Sequence, residues 1–122
     1  MAIENISFSL NVPNTLLTIP NGKSYAITTI ITCNTATVDP QNPESGSASF
    51  DIHLVTAAEM ILASSVVADA ISNNNRVINN LTLKAGESYS FNNEKLILEA
   101  GDTIAVLGTS VSLSATVSYL EM

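Results

Sequence analysis

Apolar and polar residues alternate along most of this chain, and alternation is the period of a β-strand. The densest stretch runs from Leu81 to Val106. There Leu81-Thr82-Leu83-Lys84-Ala85-Gly86-Glu87-Ser88 is echoed by Leu96-Ile97-Leu98-Glu99-Ala100-Gly101-Asp102-Thr103. Each phrase ends in Ala-Gly, an acid and a hydroxyl, and Gly there tolerates the positive φ of a turn. The stretch predicts four short antiparallel strands of one sheet, folded back at Gly86, Asn92-Asn93 and Gly101. The doubled phrase is too short for a repeat domain and marks two similar sheet corners. Glu87 and Asp102 are expected to hold turn amides through their carboxylates.

The remaining chain supplies further strands. Ile6 to Leu10 alternates, with Ile6, Phe8 and Leu10 inward, until Pro13-Asn14 interrupts it. Leu16 to Ile19 resumes before the turn Pro20-Asn21-Gly22-Lys23. Ser24 to Cys33 reads as a central strand covered on both sides. Its β-branched run Ile27-Thr28-Thr29-Ile30-Ile31 opposes a helix, and Tyr25, Ile27, Thr29, Ile31 and Cys33 share one predicted face. A loop from Thr35 to Ala48 carries Asp39-Pro40, Asn42-Pro43 and Ser45-Gly46-Ser47. Ser49 to Val55 follows, with Phe50, Ile52 and Leu54 inward and Ser49, Asp51 and His53 outward.

Between Thr56 and Ser72 the strand period lapses. Thr56 with Glu59 three residues later has the spacing of a helix capping box, whereas Ser64-Ser65-Val66-Val67 favours extended chain. The expectation is an apolar arm that is irregular or holds one helical turn. Its residues Met60, Ile61, Leu62, Val66 and Val67 form a candidate partner interface. After a turn at Ser72-Asn73-Asn74-Asn75, Arg76 to Leu83 places Val77, Asn79, Leu81 and Leu83 on one face. Thr103 to Leu107 follows, and Val111 to Tyr119 closes the chain with Val111, Leu113, Ala115, Val117 and Tyr119 inward. About eight short strands with Gly, Pro and Asn turns predict an all-β fold, a single antiparallel β-sandwich of jelly-roll-like topology spanning residues 1–122.

Composition narrows the function classes. At 122 residues the chain is one domain, able to bury about two-thirds of its unfolded surface. Only 12% of residues are charged, against about 25% in ordinary domains, and Ser, Thr and Asn take their place. Such a surface suits a protein that lives in an assembly. The net charge is −7, and the four basic residues Lys23, Arg76, Lys84 and Lys95 are scattered. Nucleic acid needs a basic stripe, so it is not an expected partner. Nothing approaches the roughly 18 apolar residues of a membrane span, so no membrane is expected. Met1-Ala2-Ile3-Glu4-Asn5 has neither the basic nor the apolar region of a signal peptide, and Cys33 has no disulfide mate. Synthesis in a reducing cytoplasm is the expectation, and there the sequons at Asn5 and Asn80 carry little meaning.

Candidate chemistry is sparse. Asp51 and His53 leave one strand face, but no Gly-x-Ser-x-Gly surrounds any serine, and with one His and one Cys a zinc-type site lacks ligands. They read as a surface polar pair or, through the histidine, a pH-sensitive contact. Cys33 reads as a buried structural thiol. Asp39, Asn42 and Glu44 offer oxygens in one loop without the spacing of a calcium loop. With no Trp, three Tyr and three Phe, the chain has little aromatic surface for stacking on a sugar, which weakens a carbohydrate-binding reading. No catalytic residue, metal site or cofactor is expected.

The phrases Phe50-Asp51-Ile52-His53-Leu54-Val55, Asn79-Asn80-Leu81-Thr82-Leu83-Lys84-Ala85-Gly86-Glu87-Ser88, Glu94 to Thr103 and Val117-Ser118-Tyr119-Leu120-Glu121 together resemble small single-domain virion proteins of tailed bacteriophages, especially marine and cyanobacterial ones. The resemblance covers most of the chain from Tyr25 onward. It implies a non-enzymatic structural role in the virion, as a capsid decoration or cement subunit. It also implies self-association, as a homotrimer, and contact with a major capsid protein or other virion proteins. The alternatives are a neck, tail or baseplate component and, in a different class, a receptor- or glycan-binding module.

Overall fold

The computed structural model describes residues 2–42 and 44–122, with the side chains of residues 92–95 left aside. Pro43 of the Thr35–Ala48 loop therefore lies outside the described residues. Eight strands form two antiparallel four-stranded sheets. They are β1 (Ala2–Ser7), β2 (Asn14–Thr18), β3 (Ser24–Asn34), β4 (Ala48–Val55), β5 (Arg76–Leu83), β6 (Ser88–Glu99), β7 (Thr103–Gly108) and β8 (Leu113–Glu121). One sheet has the order β1-β8-β3-β6, the other β2-β7-β4-β5. The pairings nest: β1 with β8, β2 with β7, β3 with β6, β4 with β5. Rolling that long hairpin up adds β3–β8 and β4–β7 contacts. This is jelly-roll topology.

The inner faces meet in one core built on Phe50, Ile52, Ile104, Val106, Leu113 and Val117, each 1% exposed or less. Burying such side chains contributes roughly 1.5–3 kcal/mol each and orients the strands. Strand β8 keeps strict alternation, with Leu113, Ala115, Val117 and Tyr119 buried. Tyr119 stacks on Tyr25 with ring centroids 4.5 Å apart.

Several expected placements are corrected. The residues from Leu81 to Val106 do not form one sheet. Strands β5 and β7 belong to one sheet and β6 to the other, and β6 runs through Asn92-Asn93 without a turn because the β3 ladder holds it on both sides of that point. In β3 the register shifts between Ile27 and Thr29. The extra residue reverses the phase, so Ile30, Thr32 and Asn34 point inward and Ile31 is 39% exposed. On the outer face of β3 Ile31 is exposed, and Cys33 is half-buried there instead of sealed in the core. Strand β5 shifts likewise around Asn80, whose φ is +52°; Ile78, Leu81 and Leu83 turn inward while Val77 and Asn79 are exposed. Leu10 and Val111 lie outside the strands and are exposed.

The doubled phrase builds the two crossings between sheets. At the first, the Gly86 amide donates to the Asn34 carbonyl at 2.9 Å and the Asn34 amide donates to the Glu87 carbonyl at 2.9 Å. At the second, Gly101 and Asp102 repeat this exchange with Ile19 at 2.9 and 3.0 Å. In both, the acid accepts from the amide three residues back: Lys84 to Glu87 at 2.6 Å, Glu99 to Asp102 at 2.9 Å. Both glycines have φ above +80°.

Candidate functional site

The arm predicted between Thr56 and Ser72 forms two short helices, α1 (Ala57–Leu62) and α2 (Val67–Ala70). The Thr56–Glu59 capping box starts α1. The Glu59 amide donates to Thr56 Oγ1 at 3.2 Å and the Thr56 amide to Glu59 Oε1 at 3.0 Å. Ser64 and Ser65, both with positive φ, end it, and the chain turns into α2.

The arm lies across the outer face of the β2-β7-β4-β5 sheet. Its underside, Met60, Ala63, Val67 and Ile71, packs on a satellite cluster of Val55, Ala70 and Ala105. This makes β7 buried on both faces, the condition expected of β3. Two polar fixtures hold the arm. Asp102 Oδ1 accepts from the Ala57 amide at 3.0 Å, tying α1 to the second crossing. Asn75, 6% exposed, accepts from the Ser72 amide at 3.0 Å and donates to the Ala70 carbonyl at 2.9 Å and to Glu59 Oε2 at 3.1 Å. The bonds from Thr56 and Asn75 hold the Glu59 carboxyl below its ordinary value, against a smaller opposing effect of burial.

His53 lies beneath the arm. It leaves the outer face of its strand, as the alternation predicts, but it is fully buried instead of exposed. Its Nδ1 is 2.7 Å from Asn75 Oδ1. That oxygen only accepts, so Nδ1 carries the hydrogen. Asp51, two residues away, engages Arg76 at 3.8 Å and the Asn80 amide instead of the imidazole. The two residues are therefore not a working pair.

The five candidate interface residues divide. Met60 and Val67 face the sheet and fasten the arm. Ile61, Leu62 and Val66 are 76%, 87% and 47% exposed. Open grooves flank them, one of about 430 Å³ beside Leu62, Val66 and Asp69, the other of about 460 Å³ between Ile61, Thr15 and Thr18. An apolar ledge is thus carried on a helix pair whose underside is fixed.

In the 35–47 loop, Asp39 Oδ1 accepts from the Gln41 amide at 3.0 Å and Glu44 pairs with Lys84 at 3.1 Å. Among the described residues, no three His, Cys, Asp or Glu side chains converge as a metal site would need. No helix of the described residues is long and apolar enough to cross a membrane. Sequence reasoning missed the two buried asparagines that organise this part of the fold, Asn34 and Asn75, taking the latter for a turn residue. Asparagine in a turn run carries no periodic signal that separates a hub from a bend. No model of a known protein family matches the chain, and no match is found among curated proteins.

Proposed function

We propose that this protein is a non-enzymatic structural subunit of a bacteriophage particle, a capsid decoration or cement protein that bridges capsomers. The observation that carries the reading is the ledge of Ile61, Leu62 and Val66. These side chains are exposed on an arm anchored from below by Asp102, Asn75 and an apolar underside. Exposed apolar side chains on a fixed element are presented to a partner, whereas the same side chains on a frayed loop would signify little. The partner in this reading is the major capsid protein or another virion protein. The subunit self-associates as a homotrimer, is made in the host cytoplasm and resides in the virion. The low charge supports the same reading, since a surface to be covered in a shell has little use for solvated charges.

The test is co-sedimentation of the purified chain with capsids that lack it, followed by copy counting in intact particles. Binding in hundreds of copies, lost in the I61S/L62S double variant and retained in a variant of the 35–47 loop, supports the reading. A shell that neither contains nor binds the protein overturns it. A low copy number moves the subunit to neck, tail or baseplate. Glycan-array binding through the loops would instead favour the recognition module.

A further inference from the structure

A sandwich of two open sheets has four edge strands, and unpaired edge amides and carbonyls are templates for another chain. Three of these edges are blunted. Strand β2 is short, flanked by Pro13 and Pro20, and its register shifts between Thr15 and Leu17. Strand β5 carries two register shifts, the positive φ of Asn80, and Arg76. The β6 ladder is broken opposite Thr28. Strand β1 has no proline, basic residue or register break, and its one charge is Glu4. It runs Ala2-Ile3-Glu4-Asn5-Ile6-Ser7, without Pro, Lys or Arg, in unbroken register against β8 from Ala2–Tyr119 to Ser7–Ser114. Five of its six residues are exposed, Ile3 at 61%.

We infer that β1 is an assembly edge, on which β1 of a second copy pairs antiparallel about a two-fold axis through Asn5 to give one continuous eight-stranded sheet. A two-fold pairing must match outer face with outer face, so the residue numbers of opposed partners sum to an even number. Centring on Glu4 sets two carboxylates opposite each other, which is unfavourable. Centring on Ile3 or on Ile6 pairs only three residues of the strand Ala2–Ser7, against five for Asn5. Centring on Asn5 opposes Asn5 to Asn5, Ile3 to Ser7 and Glu4 to Ile6. Glu4 turns to the inner side of the sheet, where the Tyr119 hydroxyl donates to it at 3.4 Å, and this pairing sets it opposite Ile6 and not opposite a second carboxylate. The occupant is a second copy because the outer face that the pairing would extend is almost free of charge. Ile3, Asn5, Ser7, Ser114, Thr116 and Ser118 occupy it on β1 and β8. A protein of net charge −7 meets a copy of itself with least repulsion along such a surface. This inference does not rest on the phage reading; combined with the threefold contact of that reading elsewhere on the subunit, the β1 two-fold joins two trimers into six copies.

The experiment is cysteine cross-linking in the full-length protein with Cys33 replaced by serine. In the Asn5-centred pair, N5C places two Cα atoms about 4.5–5.5 Å apart, inside disulfide range. S7C places its pair about 13 Å apart along the strand. Mild oxidation with diamide should convert N5C to a covalent dimer and leave S7C monomeric on a non-reducing gel. A mixture of I3C and S7C chains should cross-link to each other, which keeps the test sound if N5C folds poorly. The unmodified protein should sediment as an even number of copies. No dimer from either N5C or the I3C–S7C mixture, equal dimer from N5C and S7C, or an odd copy number at every concentration overturns the inference.

Discussion

At Gly86 and at Gly101 the chain crosses between the sheets by the same hydrogen-bond scheme, yet the two crossings carry different loads. Glu87 is exposed and its carboxylate accepts from the Lys84 amide of its own turn. Asp102 is half-buried and divides its oxygens, Oδ2 to the Glu99 amide and Oδ1 to the Ala57 amide at the start of α1. A Cβ on Gly86 would meet a side-chain methyl of Val38 at 3.2 Å, whereas one on Gly101 would meet Ala57 Cβ at 2.7 Å. The comparison teaches how an accessory element is attached to a closed sandwich. A corner that already satisfies its own backbone has one carboxylate oxygen to spare, and that oxygen seats the arm. The neighbouring glycine lets the arm come close enough for the bond to form.

The largest difference between the crossings should come from the glycines. G86A meets only a positive φ and a movable methyl, and should lose about 1–2 kcal/mol. G101A adds a contact too close to exist, so either the corner or the arm must shift, and the loss should reach about 2–4 kcal/mol. Urea unfolding of both variants checks this. Equal losses would mean that the arm does not press on its corner. Next in size are the acids. E87A should cost about 1 kcal/mol, one turn amide left to water. D102A should cost about twice that, since two amides lose an acceptor, and only D102A should open the arm to proteolysis near Ser64-Ser65. Equal cleavage of both variants would show that the Ala57 bond does not hold the arm.

Much of this frame was legible in the chain. The strands, the doubled corner and the capping box were each announced by local chemistry: alternation, Ala-Gly-acid, and Thr56 with Glu59. What was not legible depends on partners distant in sequence. The phase of β3 reverses at Thr28, whose hydroxyl donates to the Ser118 carbonyl at 3.0 Å, ninety residues away. No local pattern marks that bulge, so unbroken alternation keeps Ile31 on the face of Ile27. His53 was expected at the surface because its strand shows a polar outer face, and only the arm, folding back through Asn75, buries it. For the site, the apolar run 60–67 was visible, but which of its members face the sheet depends on where two short helices come to rest.

A smaller effect should separate the arm from the corners by pH. The Glu59 carboxyl titrates below its ordinary value because the folded arm hydrogen-bonds its charged form, chiefly through the Thr56 amide. The stability this contributes is present above the unfolded pKa and is lost as pH falls through the depressed folded value, below the ordinary range of a glutamate. Acid should therefore loosen α1, seen as faster amide exchange at its first turn. E59Q should remove the part of that pH dependence that belongs to Glu59. If exchange in the first turn of α1 is as pH-dependent in E59Q as in the unmodified protein, the capping box does not govern the arm.

The smallest expected effect lies on the ledge itself, and it is informative because it should be small. Ile61 and Leu62 point away from the sheet and make no part of either cluster that fastens the arm. Replacing both with serine removes apolar surface that is already in water, so stability should change by less than about 0.5 kcal/mol. Met60, one position earlier, packs on the satellite cluster, and M60S should cost about 1–3 kcal/mol. Thermal unfolding of the two variants side by side decides the point. A ledge variant as damaged as M60S would mean that Ile61 and Leu62 support the fold, and their exposure would no longer argue for a partner. An unchanged ledge variant and a damaged M60S would leave two apolar side chains, held in place at the surface of a stable arm, that folding itself does not require.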